Sequence, residues 1–251
     1  AGGYWAVFFT YLLSAAILGD ILRILDHFFH IYPSWVSLNY SQAKLWYAGS
    51  VFILLGIMSV LGFYHFTHPR IKELEVSNGN HSAASGEITI LAASDLHLGN
   101  IIRKGRLAKW VDLINSQNPD VLLLAGDIFD HSYRAVKSQQ MGREMERLKA
   151  TYGVYAIPGN HDYYAGIDRA LDYLGHHGIT VLRDQSAVVG NRIRIIGRDD
   201  ITNKNRKPLA LLMDTLNTDL PAIVLDHQPQ SLNESVENHV ALHLSGHTHN
   251  G

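Results

Sequence analysis

The chain has 251 residues, with 21 lysines and arginines against 23 aspartates and glutamates, and a formal net charge of −2. That balance excludes the general basic surface of a nucleic-acid-binding protein, so no nucleic-acid partner is expected. The absence of cysteine excludes disulfide bonds and thiolate metal sites, whereas the 15 histidines leave imidazole ligands available.

Residues 1–76 are predicted to form a membrane region with two transmembrane helices. The first, at about residues 4–25, is largely apolar, and the second, at residues 45–66, contains no lysine, arginine, aspartate or glutamate. A helix rises about 1.5 Å per residue, so roughly 20 apolar residues cross a bilayer. A buried core helix is the alternative for each stretch, whereas two such runs in tandem disfavour a cleaved signal peptide.

The charges around these stretches favour one orientation. The intervening residues 27–43 contain no lysine or arginine, whereas Arg70 and Lys72 closely follow the second stretch. Positive charge concentrates on the cytoplasmic side of membrane proteins, so the downstream domain is expected to be cytoplasmic. Residues 77–86 are small and polar and are predicted to be a flexible linker that leads into this domain, residues 87–251.

The second domain alternates short apolar runs with amphipathic patterns, which predicts an α/β layered fold. The continuous apolar run at 121–125 indicates a strand buried on both faces. Further strands are predicted at 88–93, 154–157, 180–182, 187–189, 193–196, 222–225 and 240–244, those at 180–196 as an antiparallel segment. Helices are predicted at 106–118, 134–150, 168–177 and 209–216.

Polar side chains follow several of these strands. They are Asp95 and His97, Asp127 and Asp130, Asn160 and His161, His227, and His247 and His249. Open α/β sheets bind ligands beyond the carboxyl ends of their strands. Alternation along a strand puts residues two apart on the same side, so Asp95 with His97, and His247 with His249, can each aim two groups at one place.

Carboxylate and imidazole ligands suit divalent ions such as Zn, Mn or Fe. The candidate ligands suffice for two ions if one carboxylate bridges them, and two ions roughly 3.5–4 Å apart clamp an in-line displacement at phosphorus. Each motif alone has an ordinary alternative, a capping aspartate or a hydrogen-bonded histidine in a turn. Their recurrence at successive strand ends favours a metal site.

The motifs D-L-H at 95–97, G-D-I-F-D at 126–130, G-N-H-D at 159–162, D-H at 226–227 and G-H-T-H at 246–249 resemble those of the calcineurin-like metallophosphoesterase superfamily. The resemblance covers residues 87–251, and the apolar stretches before it resemble the membrane-anchored bacterial members. It implies a four-layer α/β/β/α sandwich. Family domains normally continue beyond the last ligand, so this domain is expected to be truncated at its C-terminus.

The resemblance also implies roles for individual residues. One divalent ion would bind Asp95, His97 and His249, a second would bind Asn160, His227 and His247, and Asp127 would bridge them. A hydroxide bridging the metals would attack phosphorus, His161 would protonate the leaving oxygen, and Asp130 would hydrogen-bond His161 and set its tautomer. The identity of the ions stays open among Mn, Fe, Zn and Ni. Asp162 is expected to be structural, and Arg198, Asp199 and Asp200 are candidates for the rim of the site.

The expected activity is hydrolysis of a phosphate monoester, diester or pyrophosphate by a membrane-anchored enzyme. A lipid-linked substrate is one interpretation, because such an enzyme already lies at a bilayer. The alternative is a non-catalytic metal-binding scaffold or receptor on the same fold. A nuclease is disfavoured by the net charge and the apolar stretches. The sequence carries no signal for the oligomeric state.

Overall fold

The computed structural model describes residues 2–76, 87–214 and 220–249, without the side chains of residues 2–7. The chain divides into two compact units, Ala1–Glu75 and Val76–Gly251. The predicted linker at 77–86 lies outside the described residues, and the predicted domain boundaries stay predictions.

The first unit consists of α1 (Gly2–Phe29), α2 (Ser34–Leu38) and α3 (Tyr40–Thr67). The predicted transmembrane stretches lie within α1 and α3. Both helices are long and apolar enough to cross a membrane, by length and composition, over Phe8–Phe29 and Tyr40–Thr67. Their large apolar side chains are mostly exposed, as Phe28 and Trp46 illustrate. The Tyr47 hydroxyl donates to the carbonyl of Ala15 at 2.7 Å and joins the two helices.

The second unit alternates strands and helices. The strands are β1 (Ile90–Ala93), β2 (Val121–Ala125), β3 (Val154–Ile157), β4 (Thr180–Val181), β5 (Gln185–Val189), β6 (Ile193–Gly197), β7 (Ala222–Leu225) and β8 (Leu242–Leu244). The helices are α4 (Lys104–Ser116), α5 (Tyr133–Ser138), α6 (Gly142–Met145), α7 (Asn160–Tyr164), α8 (Ile167–His176), α9 (Leu209–Met213) and α10 (Leu232–Glu237).

The single helix predicted at 134–150 is wrong. The segment forms α5 and α6, separated at Gln140, whose φ of 53° is left-handed and incompatible with a continuing helix. Met141 and Met145 are buried all the same. Apolar residues at helical spacing therefore identified the buried side of this segment but not the break in its backbone.

The strands form two sheets of four. The first has the order β1-β2-β3-β4 and the second β5-β6-β7-β8. All neighbours in the first sheet are parallel, whereas β5 and β6 pair antiparallel before β7 and β8 continue parallel. The antiparallel prediction for 180–196 therefore holds for β5 and β6 but is wrong for β4, which pairs parallel with β3.

The two sheets pack face to face between two layers of helices. Alternation along β2 shows the arrangement, because Leu122 and Leu124 belong to a core shared with α4, α5, α6 and α8, whereas Val121, Leu123 and Ala125 join the core shared with the second sheet. On the outer face of that sheet, residues of β6 and β7 pack against α9. The predicted four-layer α/β/β/α sandwich is confirmed.

Candidate metal centre

Most of the polar side chains identified from the sequence lie in loops just beyond the strands, and these loops turn sharply, whereas Asn160 and His161 begin helix α7. Asp95, His97, Asp127, His247 and His249 all have positive φ, between 44° and 67°. Non-glycine residues adopt this left-handed conformation rarely, at a cost of about 1–3 kcal/mol each. The expectation of extended alternation at 95–97 and 247–249 is therefore wrong, and the turns themselves aim these side chains.

One group of potential ligands joins the loop after β1 to the loop after β8. The Nε2 atoms of His97 and His249 lie 3.3 Å apart, and Asp95 Oδ1 lies 3.6 Å from His249 Nε2 and 4.0 Å from His97 Nε2. The backbone N–H of His247 donates to both carboxylate oxygens of Asp95, at 3.0 and 3.1 Å. Burial lowers the pKa of His97 from its ordinary value, which favours the neutral imidazole that a metal requires.

A second group joins the loops after β2, β3, β7 and β8. Asp127, His227 and His247 offer ligand atoms that all lie within 4.8 Å of one another. The oxygen of Asn160 belongs with them, since its Oδ1 lies 3.0 Å from His247 Nδ1. Burial raises the pKa of Asp127, but the His227 ring beside its carboxylate and the backbone N–H of His161 outweigh it, and the pKa falls below its ordinary value.

The hydrogen bonding of the His227 ring indicates whether the second group can bind a cation. Its Nδ1–H donates to the carbonyl of Ala125 at 2.8 Å, so in the neutral ring Nε2 carries a lone pair. That buried Nε2 has no hydrogen-bond partner among the described residues and lies 3.2 Å from Asp127 Oδ2. His227 Nε2 and Asp127 Oδ2 are then two buried acceptors that face each other, and a cation bound by both would satisfy them. Burial lowers the pKa of His227, but the Asp127 carboxylate more than reverses this and raises it to about 9, so a proton competes for the same position.

Asp127 lies between the two groups. Its Oδ2 faces His227 Nε2 at 3.2 Å and His97 Nε2 at 3.8 Å, while its Oδ1 accepts the backbone N–H of His161 at 2.8 Å. The side chain is almost completely buried, although β2 ends just before it. A buried carboxylate in contact with both sets of imidazoles is the geometry that a bridging ligand requires.

His161 lies beside these groups with a defined tautomer. Its Nδ1–H donates to the backbone carbonyl of Asp130 at 2.9 Å, which leaves Nε2 as the other nitrogen for chemistry. The Asp130 carboxylate is 3.6 Å from His161 Nδ1 and instead contacts His131 Nδ1 at 2.8 Å. The expected hydrogen bond between Asp130 and His161 is therefore present, and the backbone oxygen of Asp130 makes it rather than the carboxylate.

Residues 88–251 match the calcineurin-like phosphoesterase family. The chain belongs to this family. A metallophosphoesterase of Aquifex aeolicus, named as uncharacterized, is 31% identical over 205 residues, which cover 79% of this chain and 76% of that protein. Its Helicobacter pylori counterpart is 33% identical over 196 residues, 76% of this chain and 51% of its own length. The chain therefore spans about half the length of that relative.

A third relative, from Danio rerio, is named a transmembrane protein with metallophosphoesterase domain and is 28% identical over 215 residues, 79% of this chain and 49% of its own length. Among solved structures, a 5′-nucleotidase precursor from Thermus thermophilus has a TM-score of 0.41 at 19% identity, covering 64% of this chain and 42% of its own. Calcineurin-like phosphoesterases use divalent metal ions, and the His and Asp groups described above are the candidate ligands here.

Within this metallophosphoesterase fold Asp162 has a structural place, as expected. It is fully buried and accepts the backbone N–H groups of Phe129 at 2.9 Å and Gly159 at 2.8 Å, with that of Ile128 at 3.4 Å. Burial raises its pKa to about 7 against the opposing effect of these hydrogen bonds. Asp162 thus ties the loop after β2 to the loop after β3.

Two features of the site were missed or misplaced. Arg198, Asp199 and Asp200 do not line the rim, since each is at least 98% buried in a network of ion pairs beyond β6. Gly159, the glycine before Asn160, is the missed feature, since a Cβ at this position would collide with Asp127. The sequence carries no signal that Gly159 packs against Asp127.

Proposed function

We propose that the second unit is a phosphoesterase that uses two divalent metal ions. One ion would be held by Asp95, His97 and His249 and the other by Asn160, His227 and His247, with Asp127 shared. The observation that carries this proposal is the position of Asp127 Oδ2, 3.2 Å from His227 Nε2 and 3.8 Å from His97 Nε2. Such ions lower the pKa of a coordinated water to roughly 7 and neutralise charge on the phosphoryl oxygens.

His161 is the proposed proton donor. With Nδ1–H committed to the Asp130 carbonyl, the protonated ring carries its mobile proton on Nε2 and delivers it to the leaving oxygen as the phosphorus–oxygen bond breaks. The ring packs edge-on against His97, with centroids 4.5 Å apart. This contact keeps the proposed proton donor beside the proposed ligands.

The proposed substrate is a phosphate monoester, diester or pyrophosphate. The family supports a phosphate ester, while the apolar helices α1 and α3 and the name of the Danio rerio relative support an anchor in the membrane. On this proposal the phosphoesterase unit faces the cytoplasm, and a lipid-linked phosphate is within its reach. Fold alone fixes none of these choices.

The test uses the full-length protein purified in detergent. We expect it to contain bound metal and to hydrolyse p-nitrophenyl phosphate or its bis ester only with Mn, Fe, Zn or Ni present. His161→Ala should lose about 10²–10⁴-fold in turnover, the usual contribution of a general acid, with both ions retained. His176→Ala is the matched control, because this histidine is exposed on α8 and its Nδ1 contacts the Asp172 carbonyl of the same helix at 2.6 Å.

Asp127→Ala should empty both ion positions, because the carboxylate is shared. Retention of full metal content in Asp127→Ala would contradict the bridging role. An intact protein with no bound metal would refute the proposal as a whole. Bound metal with no turnover on any phosphate ester would instead identify the alternative, a metal-binding scaffold or receptor.

A further inference from the structure

The short helix α7 carries both Asn160 and His161, so its position sets where these two side chains lie. One side of α7 is tied to the loop after β2. The backbone N–H of His161 donates to Asp127 Oδ1, and the Asp162 carboxylate accepts from Phe129 in that loop. These contacts hold the start of the helix against the candidate metal centre.

The other side of α7 is tied to the loop after β6 through Tyr163. Its hydroxyl donates to Asp199 Oδ1 at 2.7 Å and accepts from an Arg183 Nη2 at 2.9 Å. The guanidinium of Arg183 also lies over the Tyr163 ring, 5.5 Å from its centroid. Tyr163 thus connects helix α7, which follows β3 of the first sheet, to the loop that follows β6 of the second sheet.

Several hydrogen bonds hold the Asp199 carboxylate in one orientation. Its Oδ2 accepts from Arg183 Nε at 2.8 Å and from Asn203 Nδ2 at 2.7 Å, and its own backbone N–H donates to Asp184 Oδ1 at 2.9 Å. The carboxylate is 99% buried, yet its charge is paired with Arg183 and its lone pairs are used. A buried group with this many partners has one available orientation.

We infer that Asp199, acting through the Tyr163 hydroxyl, is a positioning residue that fixes α7 and thereby places the His161 imidazole for proton transfer. The inference rests on the proposed function, since it concerns the same reaction. Neither Asp199 nor Tyr163 is a proposed metal ligand, and neither is proposed to contact the substrate. Their effect comes from geometry, and displacement of a reacting group by about 1 Å can cost about 10²-fold in rate.

A role in general stability would predict a different result. Loss of structure alone lowers turnover on every substrate by the same factor. Misplacement of a proton donor harms most the substrates whose leaving group must be protonated. Phenyl phosphate releases a phenol with a pKa of about 10, like that of tyrosine, and needs the proton, whereas p-nitrophenyl phosphate has a far better leaving group.

The experiment compares Tyr163→Phe and Asp199→Asn with wild type in the full-length protein, on both substrates and at saturating metal. We expect each variant to lose about tenfold more kcat on phenyl phosphate than on p-nitrophenyl phosphate. In a His161→Ala background the same changes should add no further selective loss, since the donor is already gone. Tyr155→Phe is the control, because it removes from β3 a partly buried hydroxyl that donates to the carbonyl of Tyr152 in the preceding turn.

Nuclear magnetic resonance of protein labelled with ¹⁵N-histidine supplies a readout that needs no activity. Wild-type His161 should show a protonated Nδ1 and an unprotonated Nε2 once the ring is neutral, whereas both variants should show averaging between tautomers. Equal losses on both substrates with unchanged His161 signals would overturn the inference. Averaged signals in a protein without turnover would support the positioning role while refuting the proposed function.

Discussion

Replacement of Gly159 by alanine is the sharpest test of how the loops after β2 and β3 fit together. An alanine Cβ would lie 2.5 Å from the backbone nitrogen of Asp127, and closer still to Oδ1, where ordinary contact begins at 3.4 Å. The loops must therefore separate by about 1 Å. Overpacking of this kind costs about 1–3 kcal/mol of stability, and a shift of that size in a reacting group costs about 10²-fold in rate.

The backbone of Gly159 has a φ of −117°, which any residue adopts, so the effect would come from space alone. Gly175→Ala is the matched control, since nothing lies within 4 Å of its Cβ and the change should stabilise exposed helix α8 by about 0.4–1 kcal/mol. Thermal unfolding, metal analysis and hydrolysis of p-nitrophenyl phosphate are measured for both variants. A Gly159→Ala protein with wild-type metal content, turnover and melting temperature would refute the reasoning.

Three further changes have expected outcomes. Asp130→Asn should reduce turnover by less than about tenfold, well under the loss for a missing general acid, because the backbone carbonyl holds His161; a loss equal to that of His161→Ala would contradict this. Asp162→Ala should lower the free energy of unfolding in denaturant by about 1–3 kcal/mol for each buried N–H left without an acceptor. Burial lowers the pKa of His243 from 6.5, so the imidazole binds a proton at higher pH in the unfolded chain than in the folded one. The free energy of unfolding therefore falls as the pH drops below about 6.5, by at most about 1.4 kcal/mol per pH unit. The difference in unfolding free energy between about pH 7.5 and about pH 5.5 should be smaller in His243→Gln than in wild type.

The strands were the most predictable part of the fold because burial on both faces leaves an uninterrupted apolar run. The predicted strands at 121–125, 154–157 and 222–225 have the observed bounds. The single helix predicted at 134–150 failed because the helical spacing of the buried Met141 and Met145 begins only after Gln140, whose left-handed backbone breaks the segment. Local backbone conformation of this kind depends on tertiary contacts that override residue preference.

The candidate ligands could be named from the sequence because motif residues follow strands that end at one edge. The structure brings Asp95, His97 and His249 together, and likewise Asp127, His227 and His247, while the roles assigned to them stay predictions. The pairing of Tyr163 with Asp199 could not be foreseen. Those residues lie 36 positions apart, one in helix α7 after β3 and the other in the loop after β6, and no periodic pattern links them.

Each of the two clusters of candidate ligands contains residues that follow strands of both sheets. Asp95 meets the backbone of His247 from 152 residues away, and neither cluster is complete on one sheet. On the proposed function, a nascent chain could not capture metal ions until the last of these residues had been made and the sheets had docked. Because ions that bind only the docked state stabilise it by mass action, cation supply would govern the yield of mature protein as well as its turnover.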